Sequence, residues 1–221
     1  MTGLVGLLLA DGRLPTGGHA HSAGLEPALR AGLAPELIPR YLEARLHTVG
    51  RVEAATAVLA RRVAAGSSAV TLDEIEIAYA ARTSSAALRS ASAQLGRGMA
   101  RLAGRLWPDD PAIRALTELR APCRPVAFGV VAAVAGLDAR QTARTVLYDD
   151  LQTAACAAPK LLPVDPVEPV RWVLDLAETV DRLAGLDLTV TDPADLPART
   201  APLIEQWSLE HANRQRRIFH A

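Results

Sequence analysis

An all-α fold, a single multi-helix bundle over residues 1–221, is predicted by three features of the chain. Alanine- and leucine-rich stretches carry apolar residues three and four apart, alternating β-branched runs are almost absent, and turn residues stand where helices should start and stop. Half of the 221 residues are hydrophobic and 22% are charged, the composition of a folded chain with a real core and not of a disordered one.

The apolar run Leu4 to Ala10 reads as a first helix, too short to cross a bilayer and without a basic leader or cleavage site. Asp11 to Glu26 follows as a turn-rich loop, with Gly12, Gly17, Gly18 and Gly24 beside Pro15. From Glu36 to Ala65, Pro39 and Gly50 predict two helices, facing inward with Tyr41, Leu42 and Leu46 and then with Val52, Val58 and Leu59. Gly66, Ser67 and Ser68 end that segment. Thr71 with Glu74 three residues later is a capping box that starts the next helix, and a break near Thr83 to Ser85 divides the pattern that continues to Trp107. Asp110 and Pro111 open another helix.

Val126 to Ala135 is apolar on every side, which predicts a helix enclosed by others, and Gly136 suits the left-handed residue after its end. Asp138 caps a helix that should stop at Pro159. Asp165 and Pro166 start one whose inward stripe reads Val170, Val173, Leu174, Ala177, Val180 and Ala184, closed by Gly185. A proline-bearing loop, Asp192 to Pro197, leads into the last helix.

Charge removes several functions. Acids and bases balance at 24 each, so no long-range positive field selects nucleic acid or anionic lipid, and aromatics at 4% leave few platforms for stacked bases. Neither a nucleic-acid nor a membrane partner is expected. Two cysteines, Cys123 and Cys156, form no disulfide framework and read as reduced, buried thiols of a cytoplasmic chain. Lys160 is the single lysine, every other base being arginine, and arginine richness alone assigns nothing.

Local chemistry is sparse. The glycines of residues 11–24 do not match GxxxxGK(S/T), so they make no phosphate loop and suit close contact with a neighbouring chain or ion. His19 and His21 supply two nitrogens for a transient metal contact, but no CxxC or HExxH completes a permanent site. Ser22 next to His21 lacks a nucleophile elbow. Asp149 and Asp150, adjacent on a helix, point in different directions and read as solvated or locally paired. Residues 208–221 end in Arg214, Arg216, Arg217, Ile218 and Phe219, where Phe219 is expected to anchor a partner or second subunit while Arg217 bonds acids or carbonyls. Two competing readings are a helical metal-binding enzyme using His19 and His21, and a DNA-binding regulator using the terminal arginines.

Taken in order, five blocks resemble the UreF family of urease accessory proteins. LLLADGRLPTGGHAHSAGLE is similar to LLxLxDxxLPxGxFxHSxGLE, matching at Pro15, Thr16, Gly17, His21, Ser22, Gly24, Leu25 and Glu26. RTSSAALRSASAQLGRGM resembles the family's stretch ending in QxGR, through Leu88, Arg89, Gln94, Gly96 and Arg97, with Ala87 where the family usually has Glu. PVAFGVVAAVAGL resembles the family's enclosed helix, and AACAAPKLLPVDP keeps Lys160 and Pro163 but has Val164, Asp165 and Pro166 in place of Leu-Gly-Gln. HANRQRRIFHA is similar to HxxxxxRLFxS through His211, Arg217 and Phe219, without the final serine.

That resemblance implies a non-enzymatic, dimerising all-α chaperone. It would bind UreD (also called UreH) and, through that complex, the GTPase UreG, so that nickel enters the urease apoprotein without a tightly bound cofactor in this chain. It implies partner or dimer contacts among Pro15, Gly17, His21, Ser22, Glu26, Arg89, Lys160, His211, Arg217 and Phe219.

Overall fold

A computed structural model describes residues 2–214, 218 and 219. Among them the architecture is all-α, with no strand: α1 (Thr2–Leu9), α2 (Leu25–Arg30), α3 (Ile38–Arg45), α4 (Arg51–Ala64), α5 (Leu72–Arg82), α6 (Ala86–Leu106), α7 (Pro111–Glu118), α8 (Arg124–Val134), α9 (Ala139–Leu161), α10 (Val167–Asp175), α11 (Ala177–Leu183) and α12 (Pro202–Ala212).

The expected starts and stops hold where local chemistry decides them. Thr71 and Glu74 form the capping box of α5, Asp110 accepts from the amides of Ala112 and Ile113, and Asp138 with Gln141 caps α9. Ser85 caps α6 after the break, and Gly136 takes φ 80° beyond α8.

Four expectations are corrected. Pro39 and Gly50 do not separate two helices: Pro39 sits in the first turn of α3, where its missing amide has no intrahelical partner to lose, and α3 runs into α4 through a π-helical turn, Leu46–Gly50. Gly50 is instead a packing glycine, because a Cβ there would lie 3.2 Å from Leu147 Cδ2. Pro159 lies inside the last turn of α9, which continues to Leu161; so near the end, one lost bond does not stop a helix already held by its packing. The loop from Asp11 is shorter than expected, since α2 begins at Leu25. In α10 and α11 the buried residues are Pro169, Trp172, Leu176, Val180, Leu183 and Ala184, whereas Val170, Leu174 and Ala177 of the expected stripe face outward.

Helix α8 is the centre, as its composition predicts, with every residue from Pro125 to Ala132 buried. It crosses α4 so closely that a Cβ on Gly129 would come within 2.2 Å of the Ala57 carbonyl oxygen. Helix α9 packs across α4, and α6 packs on the far side of α8. Burying a side chain such as Phe128, 1% exposed, stabilises by roughly 2–3 kcal/mol.

Arginines then fasten the irregular segment 187–196 to the bundle. Arg51 makes two bonds to the Asp187 carboxylate, Arg62 donates to the Leu188 carbonyl, and Arg82 donates to the carbonyls of Ala194 and Leu196. The planar, many-donor guanidinium suits this work better than an ammonium.

Candidate functional site

Between the 11–24 loop, α9 and residue 219 lies a cleft of about 560 Å³. Its loop side is built by backbone geometry. Ala23 has φ 48° and Gly24 φ 80°, a left-handed pair that costs a non-glycine residue about 1 kcal/mol or more, and Tyr41 donates its hydroxyl to the Ala23 carbonyl at 2.8 Å, which holds the turn. Burial pushes the Tyr41 hydroxyl pKa up to about 12, so it stays protonated as a donor. A Cβ on Gly24 would meet that hydroxyl at 2.7 Å, so a side chain there would have to displace the Tyr41 hydroxyl as well as adopt φ 80°. Further along the loop, Thr16 presses its carbonyl onto α6 at Gly98, where a Cβ would come within 2.2 Å.

The floor of the cleft is ionic. Arg45 of α3 donates to both carboxylate oxygens of Asp150 on α9, at 2.8 and 2.7 Å, and both residues are buried. Arg124 at the start of α8 bridges Glu53 of α4 and Asp149 of α9. Tyr79 donates to Glu53 or to Ser92, and Ser92 accepts from the Arg124 amide. Burial alone would make the two guanidiniums easier to deprotonate, but the facing carboxylates outweigh it and hold both firmly charged. Burial dominates at Glu53, raising its pKa despite Arg124. Five ionisable side chains from four helices thus neutralise one another to a formal charge of −1, which makes this a cross-brace beneath the cleft.

Asp149 and Asp150 are therefore corrected: they are not solvated or locally paired but bonded to α8 and α3. Cys156 is corrected as well, being exposed, while Cys123 is buried and its thiol pKa is pushed up by that burial. The sequence did hold a signal for the missed residues. Arg45 lies four after Tyr41 and three after Leu42, and Asp150 lies three after Leu147 and four after Val146, so both charges sit in phase with inward-facing residues.

At the other wall, residues 218 and 219 fold back on α2. The carboxylate of Glu26, 1% exposed, accepts from the amides of Ile218 (3.1 Å to each oxygen) and Phe219 (2.8 Å), and from Arg30 Nε at 2.9 Å. Burial opposes its ionisation, but these donors and nearby His211 prevail and hold its pKa below the usual glutamate value. His211 of α12 donates from Nε2 to the Phe219 carbonyl at 3.3 Å, and the Lys160 ammonium stands 5.3 Å above the centre of the Phe219 ring. Phe219, expected as an anchor for a partner, is seated in the chain's own cleft wall and is 5% exposed.

The remaining site residues divide. Glu26, Lys160, His211 and Phe219 come together, and the buried His21 and exposed His19 line the same cleft. Ser22 is buried at the start of α2, where its hydroxyl accepts from the Glu26 amide. Arg89 donates to the carbonyls of Thr83 and Ser84 at 2.7 Å each, tying down the break between α5 and α6. Pro15 is exposed and Gly17 takes φ 96°. Arg216 and Arg217 lie outside the described residues. No three His, Cys, Asp or Glu side chains converge to hold a metal ion among the described residues, and no helix there is long and apolar enough to cross a membrane.

The model of the UreF family matches residues 34–177, about two-thirds of the chain. A urease accessory protein UreF from Mycobacterium sp. (strain JLS) is 42% identical over 99% of both chains. This chain belongs to the UreF family. Other relatives carrying the same description are 37% identical in Mycobacterium tuberculosis (strain H37Rv), over 99% of both chains, and 35% identical in Mycolicibacterium vanbaalenii, over 96% of both. The UreF-like QLGRG segment now has a physical reading, because both its glycines are contact points: a Cβ on Gly96 would come within 2.0 Å of the Pro122 carbonyl oxygen, and Gly98 receives the loop at Thr16.

Proposed function

We propose that this UreF-family chain is a non-enzymatic urease accessory protein. As a homodimeric scaffold in the cytoplasm, it acts with UreD (UreH) and the GTPase UreG while nickel is delivered to the urease apoprotein. The observation that carries this reading is the near full-length identity to proteins described as urease accessory protein UreF. Nickel is the cargo of the assembly, and this chain holds no tightly bound cofactor; His19 and His21 at the cleft provide at most a passing contact.

Surface chemistry supports a scaffold. Val167, Val170 and Leu174 are 57, 58 and 68% exposed along one side of α10, and Leu4, Leu7 and Leu8 are exposed on α1, two apolar faces suited to protein contacts. The charged groups beneath the cleft are committed to one another, an arrangement that favours a brace over an acid–base centre.

The test is genetic and biochemical. In cells lacking the chain, supplying it should restore urease activity and the nickel content of purified urease, and it should co-purify with co-expressed UreD and UreG. Deleting residues 214–221 should abolish that complex. Urease activity that stays absent when the chain is supplied would overturn the reading, and an intact complex after the deletion would remove the terminal residues from it.

A further inference from the structure

Ordering two residues beyond a helix costs about 1–2 kcal/mol of backbone entropy each, so a short segment is held only where specific bonds offset that cost. Ile218 and Phe219 have such bonds, from buried or basic side chains of which Glu26 and Lys160 are distant in sequence. The Glu26 carboxylate takes both amides, His211 takes the Phe219 carbonyl, and Lys160 caps the ring. Backbone amides given to a buried, ionised carboxylate are charge-assisted and stronger than neutral pairs. Arg30 donates to the same carboxylate and, with the two amides, holds Glu26 ionised against its burial.

The two neighbouring side chains point opposite ways. Ile218 is 59% exposed while Phe219 is 5% exposed and forms part of the cleft wall. The ring is thus a piece of wall that belongs to no helix, held by its backbone bonds, by Lys160 and by packing against the apolar core. We propose that residues 218 and 219 form a strap, buckled by Glu26 and His211, whose Phe219 ring closes the Lys160 side of the charged cleft and whose release opens the cleft. Glu26 and His211 act as positioning residues, and the device belongs to the isolated chain, so it stands or falls separately from the urease reading.

The experiment uses the full chain and two variants. Amide hydrogen exchange, followed by NMR, reads the buckle, and the fluorescence of 8-anilinonaphthalene-1-sulfonate reads access to the apolar cleft wall. In Glu26→Gln, protection at Ile218 and Phe219 should fall by about ten- to one-hundred-fold, the worth of a charge-assisted hydrogen bond, while protection in α8 is unchanged and dye fluorescence rises. In Phe219→Ala, dye fluorescence should rise with the amide of residue 219 still protected, because the side chain is lost and the backbone bonds are not. Undiminished protection in Glu26→Gln overturns the buckle, and dye binding equal to the parent in both variants overturns the closure. If Glu26→Gln also loses protection in α8, Phe219→Ala and a chain truncated after Arg217 decide the matter, since both leave Glu26 its bond to Arg30.

Discussion

Asp150 shows how much a single buried partner is worth. Removing one member of a buried ion pair leaves the other charge without compensation, at a cost of about 3–5 kcal/mol. Asp150→Asn should therefore lower stability to urea by that order, whereas Asp11→Asn, which breaks an exposed pair with Arg13, should leave the unfolding midpoint unchanged. Equal midpoints for the two variants would show that the Arg45 pair braces nothing. Glu26 makes a prediction about pH. Its folded pKa lies below the ordinary 4.5, so its contribution is fully present above 4.5 and is lost only as pH falls through the lower folded value. The basic groups that face it are Arg30 on α2 and His211 on α12. Protection of the Ile218 and Phe219 amides should persist from neutral pH down to 4.5 and collapse below it; protection lost well above 4.5 would show that the Glu26 carboxylate does not control the contact.

Helix crossings in this chain depend on glycines whose place a methyl group cannot take. Gly129→Ala would put a Cβ 2.2 Å from the Ala57 carbonyl oxygen on α4, so the two central helices must separate, at a cost of about 1–3 kcal/mol or more. Gly12→Ala meets nothing within 4 Å and should be neutral in the same thermal melt. If both variants melt together, the α4–α8 crossing is looser than the contact implies. The arrangement also explains which element signals can be read locally. A cap such as Thr71 with Glu74 acts within one turn, so its residue types identify it. The outcomes at Pro39, Gly50 and Pro159 depend on how firmly packing holds the surrounding turns, and residue type alone carries no trace of that.

Across the molecule, the exposed side of α10 is the largest departure from the expected burial. Val170 and Leu174 lie on the face opposite Trp172, so the side that helical spacing marks as apolar faces outward while the bulk of Trp172 is what the core takes. Replacing Val170 and Leu174 together by Asp should leave folding stability within about 1 kcal/mol, since each is a surface change, and should shift the chain toward monomer in sedimentation velocity. Unchanged self-association would exclude this face from the proposed homodimer and direct attention to the leucines of α1. The cleft has the same dependence on assembly, because its walls come from the 11–24 loop, α9 and residue 219.

The helical class, most starts and stops, the enclosed position of α8 and the family itself were legible in residue order, because caps, turn glycines and apolar periodicity act over a few residues and family motifs are contiguous. Four of the ten residues expected at partner contacts, Glu26, Lys160, His211 and Phe219, lie together within the chain itself, and that mutual contact was invisible beforehand. Tertiary structure alone decided that Arg45 meets Asp150 across 105 residues and that Glu26 receives Phe219 across 193. Charges and amides so far apart in the chain find each other only after apolar burial has stacked the helices, and once buried they must be paired, since an unmatched charge in that interior costs more than any local preference supplies.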